Sequence, residues 1–477
     1  MKQTSNTRMT NYRWVICMML FLATTINYLD RQVLSLTWQD FIAPDFHWTN
    51  RHYGLIASLF TGMYALSMLF AGRIVDKLDT KKGYLWSIGI WSLGACMHAL
   101  CGVAVEWWVG VDPALVQDAK TVGTVITVSV TMFIFARLVL AVGESGNFPA
   151  AIKATAEYFP KKDRAFATSI FNGGAQIGAM VAPLSIPVIA KYWGWEASFL
   201  IIGMLGFVWM GLWVFVYKKP EHNPRVNKAE LDYIMQDSDA DAAMPEQPEV
   251  AEEARLTFKQ AMQQKQTWAF IVGKFMTDGV WWFFLFWAPA YLGSVYGIPT
   301  SDPRGQMAIF VLYVISMLSL VGGWLPTYFV DKKGMNPYQG RMRAMLIFAF
   351  FPLLTLLAQP LGGISYWIPI IIIGIAAAAH QSWSANLFSS IGDMFPKSSV
   401  GTIVGIGGMA GGISSMIINY GSGVLFDYAD ASGMRFLGFE GIASGYMILF
   451  SICGVSYLVG WCIMKALVPE YKPVTIK

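Results

Sequence analysis

Twelve apolar windows run along the chain, near residues 14–36, 54–75, 83–105, 121–147, 165–190, 196–217, 268–294, 307–330, 343–360, 366–390, 400–427 and 440–466. Each is close to or above the roughly 20 residues that a helix needs to cross the hydrocarbon core of a bilayer. Between the sixth and seventh windows, residues 218–267 are polar and hold 17 of the chain's 64 formal charges, with Pro220, Pro224, Pro245, Pro248 and an acidic run from Asp232 to Glu253. The pattern predicts an all-α polytopic membrane protein. Six helices fall in residues 1–217, a linker loop with short amphipathic helices in 218–267, and six more helices in 268–477.

Composition agrees. Of 477 residues, 55% are apolar and only 13% charged, against about 25% charged in soluble domains. That supply cannot cover a soluble surface, and the apolar content excludes disorder. Lys and Arg set the orientation. The even-numbered loops and both termini hold 26 of the 34 basic residues; the alternate loops hold Arg51, Lys120, Lys191, Arg304 and Arg435. Both termini and the linker are therefore expected in the cytoplasm, in a bacterial inner membrane. The net charge of +4 follows the membrane and does not point to nucleic acid. The first apolar run continues into Asn27–Tyr28–Leu29–Asp30–Arg31 without a small-residue cleavage site, so it reads as a mature helix. Five cysteines lie in apolar stretches and five histidines are scattered, so neither a metal site nor a cofactor is expected. No HExxH, GxSxG or P-loop stands in a fitting context, which argues against an enzyme.

The two halves repeat each other. Glu157–Tyr158–Phe159–Pro160–Lys161 opens the fifth window and Asp393–Met394–Phe395–Pro396–Lys397 the eleventh, and both precede glycine-rich helices, Asn172–Gly178 and Gly405–Gly412. Glycine on a membrane helix permits close helix approach. Two parallel six-helix halves suit alternating access around a central site.

Six ionisable residues fall inside the windows away from their ends: Asp30, Arg31, Arg137, Glu144, Lys274 and Asp278. Each costs about 2.5–3.5 kcal/mol at a helix centre, so each should face the interior and find a partner. On the first helix Thr24, Asn27, Tyr28, Arg31 and Ser35 form one polar stripe. A guanidinium on that stripe can grip a carboxylate with two parallel hydrogen bonds, so Arg31 is either the substrate anchor or half of a structural pair. Asp30 points about 100° away from it and either carries a proton or ties the first helix to the fourth. Arg137 and Glu144, seven residues apart, lie about 10.5 Å apart along their helix and need partners elsewhere. Glu144 is a candidate proton carrier, or else makes a structural hydrogen bond, with Arg137 as the switchable partner of Glu144 or Asp30. Lys274 and Asp278, at i and i+4, can pair directly, either as structure or for substrate.

Gly72–Arg73–Ile74–Val75–Asp76–Lys77–Leu78–Asp79–Thr80–Lys81–Lys82 resembles the loop signature of the major facilitator superfamily, with Asp79 in place of the usual glycine. Asn27–Tyr28–Leu29–Asp30–Arg31, the Arg137–Pro149 segment and Asp393–Met394–Phe395–Pro396 look like that superfamily's anion:cation symporter family. Lys274–Phe275–Met276–Thr277–Asp278–Gly279–Val280–Trp281–Trp282 and Ala379–His380–Gln381 are similar to bacterial hexuronate transporters. The resemblance implies a proton role for Glu144 and a cavity lined by Tyr64 and Gln176. It also implies a small organic anion as substrate, protons as coupling ion and the bilayer as surroundings. Tyr28, Arg31, Tyr64, Gln176, Trp282, His380, Gln381 and Ser384 are the candidate substrate residues. Trp282 is chosen from the Trp281–Trp287 aromatic run to offer a flat face to a sugar ring, while His380 and Gln381 either meet ring hydroxyls or bond helix to helix. The expected function is proton-coupled symport of a hexuronate by a monomer. Another organic anion (aldonate, aldarate or aromatic acid) and a non-transporting sensor on the same scaffold stand as alternatives.

Overall fold

The computed structural model describes residues 8–242 and 256–474; the part of the acidic run beyond residue 242 lies outside the described residues. Twelve long helices carry the fold. They are α1 (Arg13–Thr37), α2 (Asn50–Leu78), α3 (Thr80–Val109), α4 (Ala119–Tyr158, broken at Ser145–Gly146), α5 (Lys161–Trp193), α6 (Trp195–Val216), α7 (Lys265–Tyr296), α8 (Pro303–Lys333), α9 (Pro337–Gly362), α10 (Trp367–Met394), α11 (Lys397–Ser432) and α12 (Ile442–Leu467). Among the described residues eleven of these are long and apolar enough to cross a membrane. The twelfth is α1. Its 25 residues suffice for a crossing, but Asn27, Asp30, Arg31 and Gln32 dilute its apolar character, and all four are buried. A helix with such a stripe survives in a bilayer only when neighbours cover the stripe.

The sequence repeat has a shared structural purpose. Pro160 and Pro396 stand at the N-terminal caps of α5 and α11, where a missing N–H costs nothing. Just before them, Glu157 accepts from Thr80 at the start of α3 (2.6 Å) and from the Tyr217 hydroxyl, while Asp393 pairs with Arg341 at the start of α9 (2.6 Å). Close packing then follows from small residues. A Cβ on Gly174 would collide with the Phe21 carbonyl and one on Gly178 would sit 2.5 Å from the Thr25 carbonyl, so α5 lies directly on α1. His98, buried on α3, is a packing residue with its ring stacked on Phe199 at 4.7 Å.

The linker begins as a strap. Glu230, in the helix Lys228–Ala242, accepts from the backbone N–H groups of Tyr12 (2.8 Å) and Arg13 (3.0 Å) and from Arg13 Nη1 (3.1 Å). It thereby places a carboxylate at the free amide end of α1, where an anion is favoured.

Hydrogen bonds that join the first six helices to the last six gather at the end away from the chain termini. Asp427 on α11 accepts from the N–H groups of Asn50 (3.0 Å) and Arg51 (2.9 Å) at the start of α2. Asp40, just past α1, accepts from Thr300 Oγ1 (2.7 Å) and the Ser301 N–H (3.1 Å) before α8. Gln39 donates to Ser294 (2.7 Å), and the Tyr53 hydroxyl donates to the Phe286 carbonyl (2.8 Å). Trp38, Tyr53 and Trp287 stack beneath these bonds. α5 packs on the Pro303–Ser316 part of α8, and α2 lies on α11 from Asn50 beside Gly423 to Leu69 beside Gly405.

Asp79 has φ +67° and ψ 153°, a region nearly reserved for glycine that costs another residue about 1–3 kcal/mol. The glycine usual in the resembling signature is thus explained by backbone geometry. Asp79→Gly should raise the melting temperature in detergent, because among the described residues only an exposed contact to Lys219 (3.6 Å) is lost; an unchanged or lower value would contradict this. Asp427→Ala should loosen the distal closure. Spin labels at exposed Leu115 and Leu437 in a cysteine-free background should then show a longer distance than in the parent.

Candidate functional site

The six intramembrane ionisable residues come together unequally. Arg31 and Glu144 form a buried ion pair in which Arg31 Nε (2.9 Å) and Nη2 (2.7 Å) both donate to Glu144 Oε2. This corrects the expected network: Arg31 is the partner of Glu144, and the tie between α1 and α4 runs through it and not through Asp30. Arg137 pairs with neither carboxylate. Its Cζ lies 5.1 Å from the Phe60 ring, and its Nη1 lacks a partner among the described residues. Both oxygens of Asp30, both polar atoms of Asn27 and Oε1 of Glu144 are likewise buried and unpartnered among the described residues. Such groups cost about 1–3 kcal/mol each if left so. These groups lie together along one α1–α4 seam.

Local structure explains the seam. Asn147 Nδ2 reaches Thr24 Oγ1 at 3.5 Å; one turn back along α4 and two turns on along α1, Glu144 reaches Arg31. The turn at Ser145–Gly146 ends the first segment of α4 at Glu144, placing its charge at a helix C-terminus, where the dipole opposes a carboxylate. Arg31 offsets that. Gly143 lets α4 press against α3, since a Cβ there would collide with the Trp91 backbone.

Aromatic rings enclose the guanidinium. Arg31 Cζ lies 5.0 Å from the Tyr28 ring, 4.7 Å from Tyr64 and 5.1 Å from Trp282. Phe60 backs Tyr64 and Trp282. Rings on α1, α2 and α7 thus hold one cation by its faces, while its edge is offered to a carboxylate. Arg31 is 3% and Glu144 0% exposed, so their charges act with little screening.

The remaining candidates lie apart from this cage. Gln176 Oε1 accepts from Ser316 Oγ on α8 at 3.4 Å. His380 Nδ1 meets the Tyr457 hydroxyl at 2.8 Å, and its ring lies flat on Trp281 at 5.4 Å. Gln381 and Ser384 are half-buried on α10. Lys274 and Asp278 pair at 2.6 Å. Sequence reasoning missed Phe60, although it stands one turn before Tyr64 on the same face. Asp40 and Asp427 were also missed, because nothing local distinguishes them from other carboxylates at helix ends.

Residues 20–419 match the Major Facilitator Superfamily. The chain belongs to that superfamily. It is a transporter in a membrane, not an enzyme. The chain is 24% identical to the hexuronate transporter of Escherichia coli (strain K12) over 461 residues, 95% of this chain and 94% of that one. It is 26% identical to the probable galactarate/D-glucarate transporter of the same organism over 415 residues, covering 85% and 86% of the two chains. Its fold is shared with a bacterial homolog of the human lysosomal transporter Spinster in an inward-facing, unoccupied conformation. That likeness has a TM-score of 0.71 at 16% identity and covers 97% of this chain and 99% of that one.

Gly143→Ala should lower stability by about 1–3 kcal/mol through overpacking against Trp91. Gly123→Ala on the same helix, with nothing within 4 Å of the added methyl, should be neutral or stabilising by up to about 1 kcal/mol. Thermal unfolding of both variants compares them directly; equal shifts would remove the argument from helix approach.

Proposed function

We propose that the protein brings a sugar-acid anion into the bacterial cytoplasm together with protons, by alternating access, as a monomer with both termini cytoplasmic. A hexuronate such as glucuronate or galacturonate is the substrate this reading favours, and the name of the hexuronate relative supports it. An aldarate is the second reading, supported by the name of the galactarate/D-glucarate relative.

The observation that carries the proposal is the Arg31–Glu144 pair, two donors on one carboxylate oxygen, inside an aromatic cage. A substrate carboxylate competes with Glu144 for the same guanidinium edge. Once displaced into a dry seam, Glu144 is favoured in its neutral form and takes a proton; when substrate leaves, Glu144 returns to Arg31 and gives the proton up. Binding of anion and proton are then linked through one cation. The rings of Tyr28, Tyr64 and Trp282 stay in place through the exchange and offer apolar faces to the sugar. Asp30, buried beside the pair with Arg137 near enough to feel its charge, supplies a second proton site. One proton per monoanion is electrically silent, whereas a second couples transport to the membrane potential. At 100 mV that adds about 2.3 kcal/mol, or roughly 50-fold in accumulation.

Glu144→Gln tests the coupling. Glutamine imitates the protonated side chain, so exchange of labelled for unlabelled sugar acid across proteoliposomes should survive while accumulation driven by a pH gradient collapses. A merely structural Glu144 predicts that exchange, accumulation and thermal stability fall together. Accumulation at the wild-type level would remove Glu144 from the mechanism.

A further inference from the structure

Lys274 and Asp278 form a second ion pair within the membrane helices, 2.6 Å apart on consecutive turns of α7. Lys274 is 7% exposed. Desolvating two ions costs several kcal/mol each, and a pair within one helix joins no two elements in return. Arg31–Glu144 at least ties α1 to α4; Lys274–Asp278 ties α7 only to itself. A structural explanation is therefore poor, and the surroundings point to a ligand instead. Space for the Asp278 carboxylate exists because α11 presents Gly411, whose Cβ would fall on it. Lys274 Nζ rests over the Phe388 ring at 4.6 Å. Ser384, one turn before Phe388 on α10, and Gln381, one turn earlier still, share that face and are half-buried. His380 bonds Tyr457 through Nδ1, leaving Nε2 without a protein partner among the described residues.

α7 connects this cluster to the cage. It carries Trp282 over Arg31 and Lys274 eight residues earlier, about 12 Å along the axis towards the terminal end. A six-carbon chain with a carboxylate at each end has five C–C bonds of about 1.5 Å. With a charge-assisted hydrogen bond of about 2.8 Å at either end, its reach is at most about 13 Å.

We propose that Lys274 is a second carboxylate subsite, so that the carrier also takes sugar diacids (aldarates), held between Arg31 and Lys274. The inference rests on the sugar-acid reading above. On binding, the second substrate carboxylate replaces Asp278 at Lys274, and Asp278 takes one proton from solution. The groups facing Asp278 are Lys274 on its own helix and Tyr457 on α12, with His380 on α10 close to Lys274; α11 presents Gly411 there. The charge balances: the diacid brings one more negative charge than a hexuronate and one more proton, so the net charge carried per cycle is the same.

The test uses proteoliposomes of the full chain, with labelled glucuronate and labelled glucarate and proton uptake read by an internal pH dye. Wild type should move both, with a proton-to-substrate ratio higher by one for glucarate. Lys274→Met/Asp278→Asn, which leaves no lone buried charge, should weaken glucarate binding at least tenfold more than glucuronate binding. Lys274→Arg should restore part of that preference. Transport of glucuronate without glucarate, equal proton ratios, or an unchanged preference in the double variant would each overturn the inference alone. Transport of neither substrate would overturn the sugar-acid reading and the inference together.

Discussion

A guanidinium cannot shed its charge, and Arg31 is buried within the helices. Something negative must therefore always stand at its edge. Much of the first six helices is arranged around that requirement. Glu144 supplies the negative charge, the break in α4 delivers Glu144 to the right height, and Gly143 lets α4 come close enough to α3. Tyr28, Tyr64 and Trp282 cover the faces of the cation that a carboxylate cannot. Because the three rings come from α1, α2 and α7, the cation is shared between the two sets of helices, and any group bound to it senses their relative position.

The division between satisfied and unsatisfied groups is itself ordered. Arg31 is saturated on one edge, whereas Asn27, Asp30 and Arg137 hold buried atoms with no partner among the described residues. A seam made only of closed pairs would be rigid scaffolding. One made only of open groups would not fold, since each open group costs about as much as a good hydrogen bond contributes. The mixture keeps the bundle intact while leaving polar atoms available for exchange.

Much of the architecture was legible in the sequence because lipid permits few alternatives: apolar runs of spanning length become helices, and the Glu157–Lys161 and Asp393–Lys397 repeats announce the two halves. Even so, α1 is the helix whose apolar signal is weakest, because the polar stripe that makes it interesting lowers its hydropathy. Local spacing also found which residues were out of place. It could not find their partners. That Arg31 meets Glu144 across 113 positions, and that Arg137 does not, depends on helix packing that no window of sequence contains. The same holds for Asp40 and Asp427, ordinary carboxylates until the fold sets each against the amides of the opposite half. Asp79 runs the other way: the departure from the usual glycine was visible at once, and only the backbone angle gave the reason.

The distal closure has a consequence for speed. Asp40 and Asp427 bind backbone amides and a hydroxyl at the ends of helices, where water can take the place of either partner as the bond breaks. Each such bond to a carboxylate is worth about 1.5–3 kcal/mol net. Opening this mouth strips no ion of its counter-ion in a dry interior, so the barrier between cycles is built from small steps.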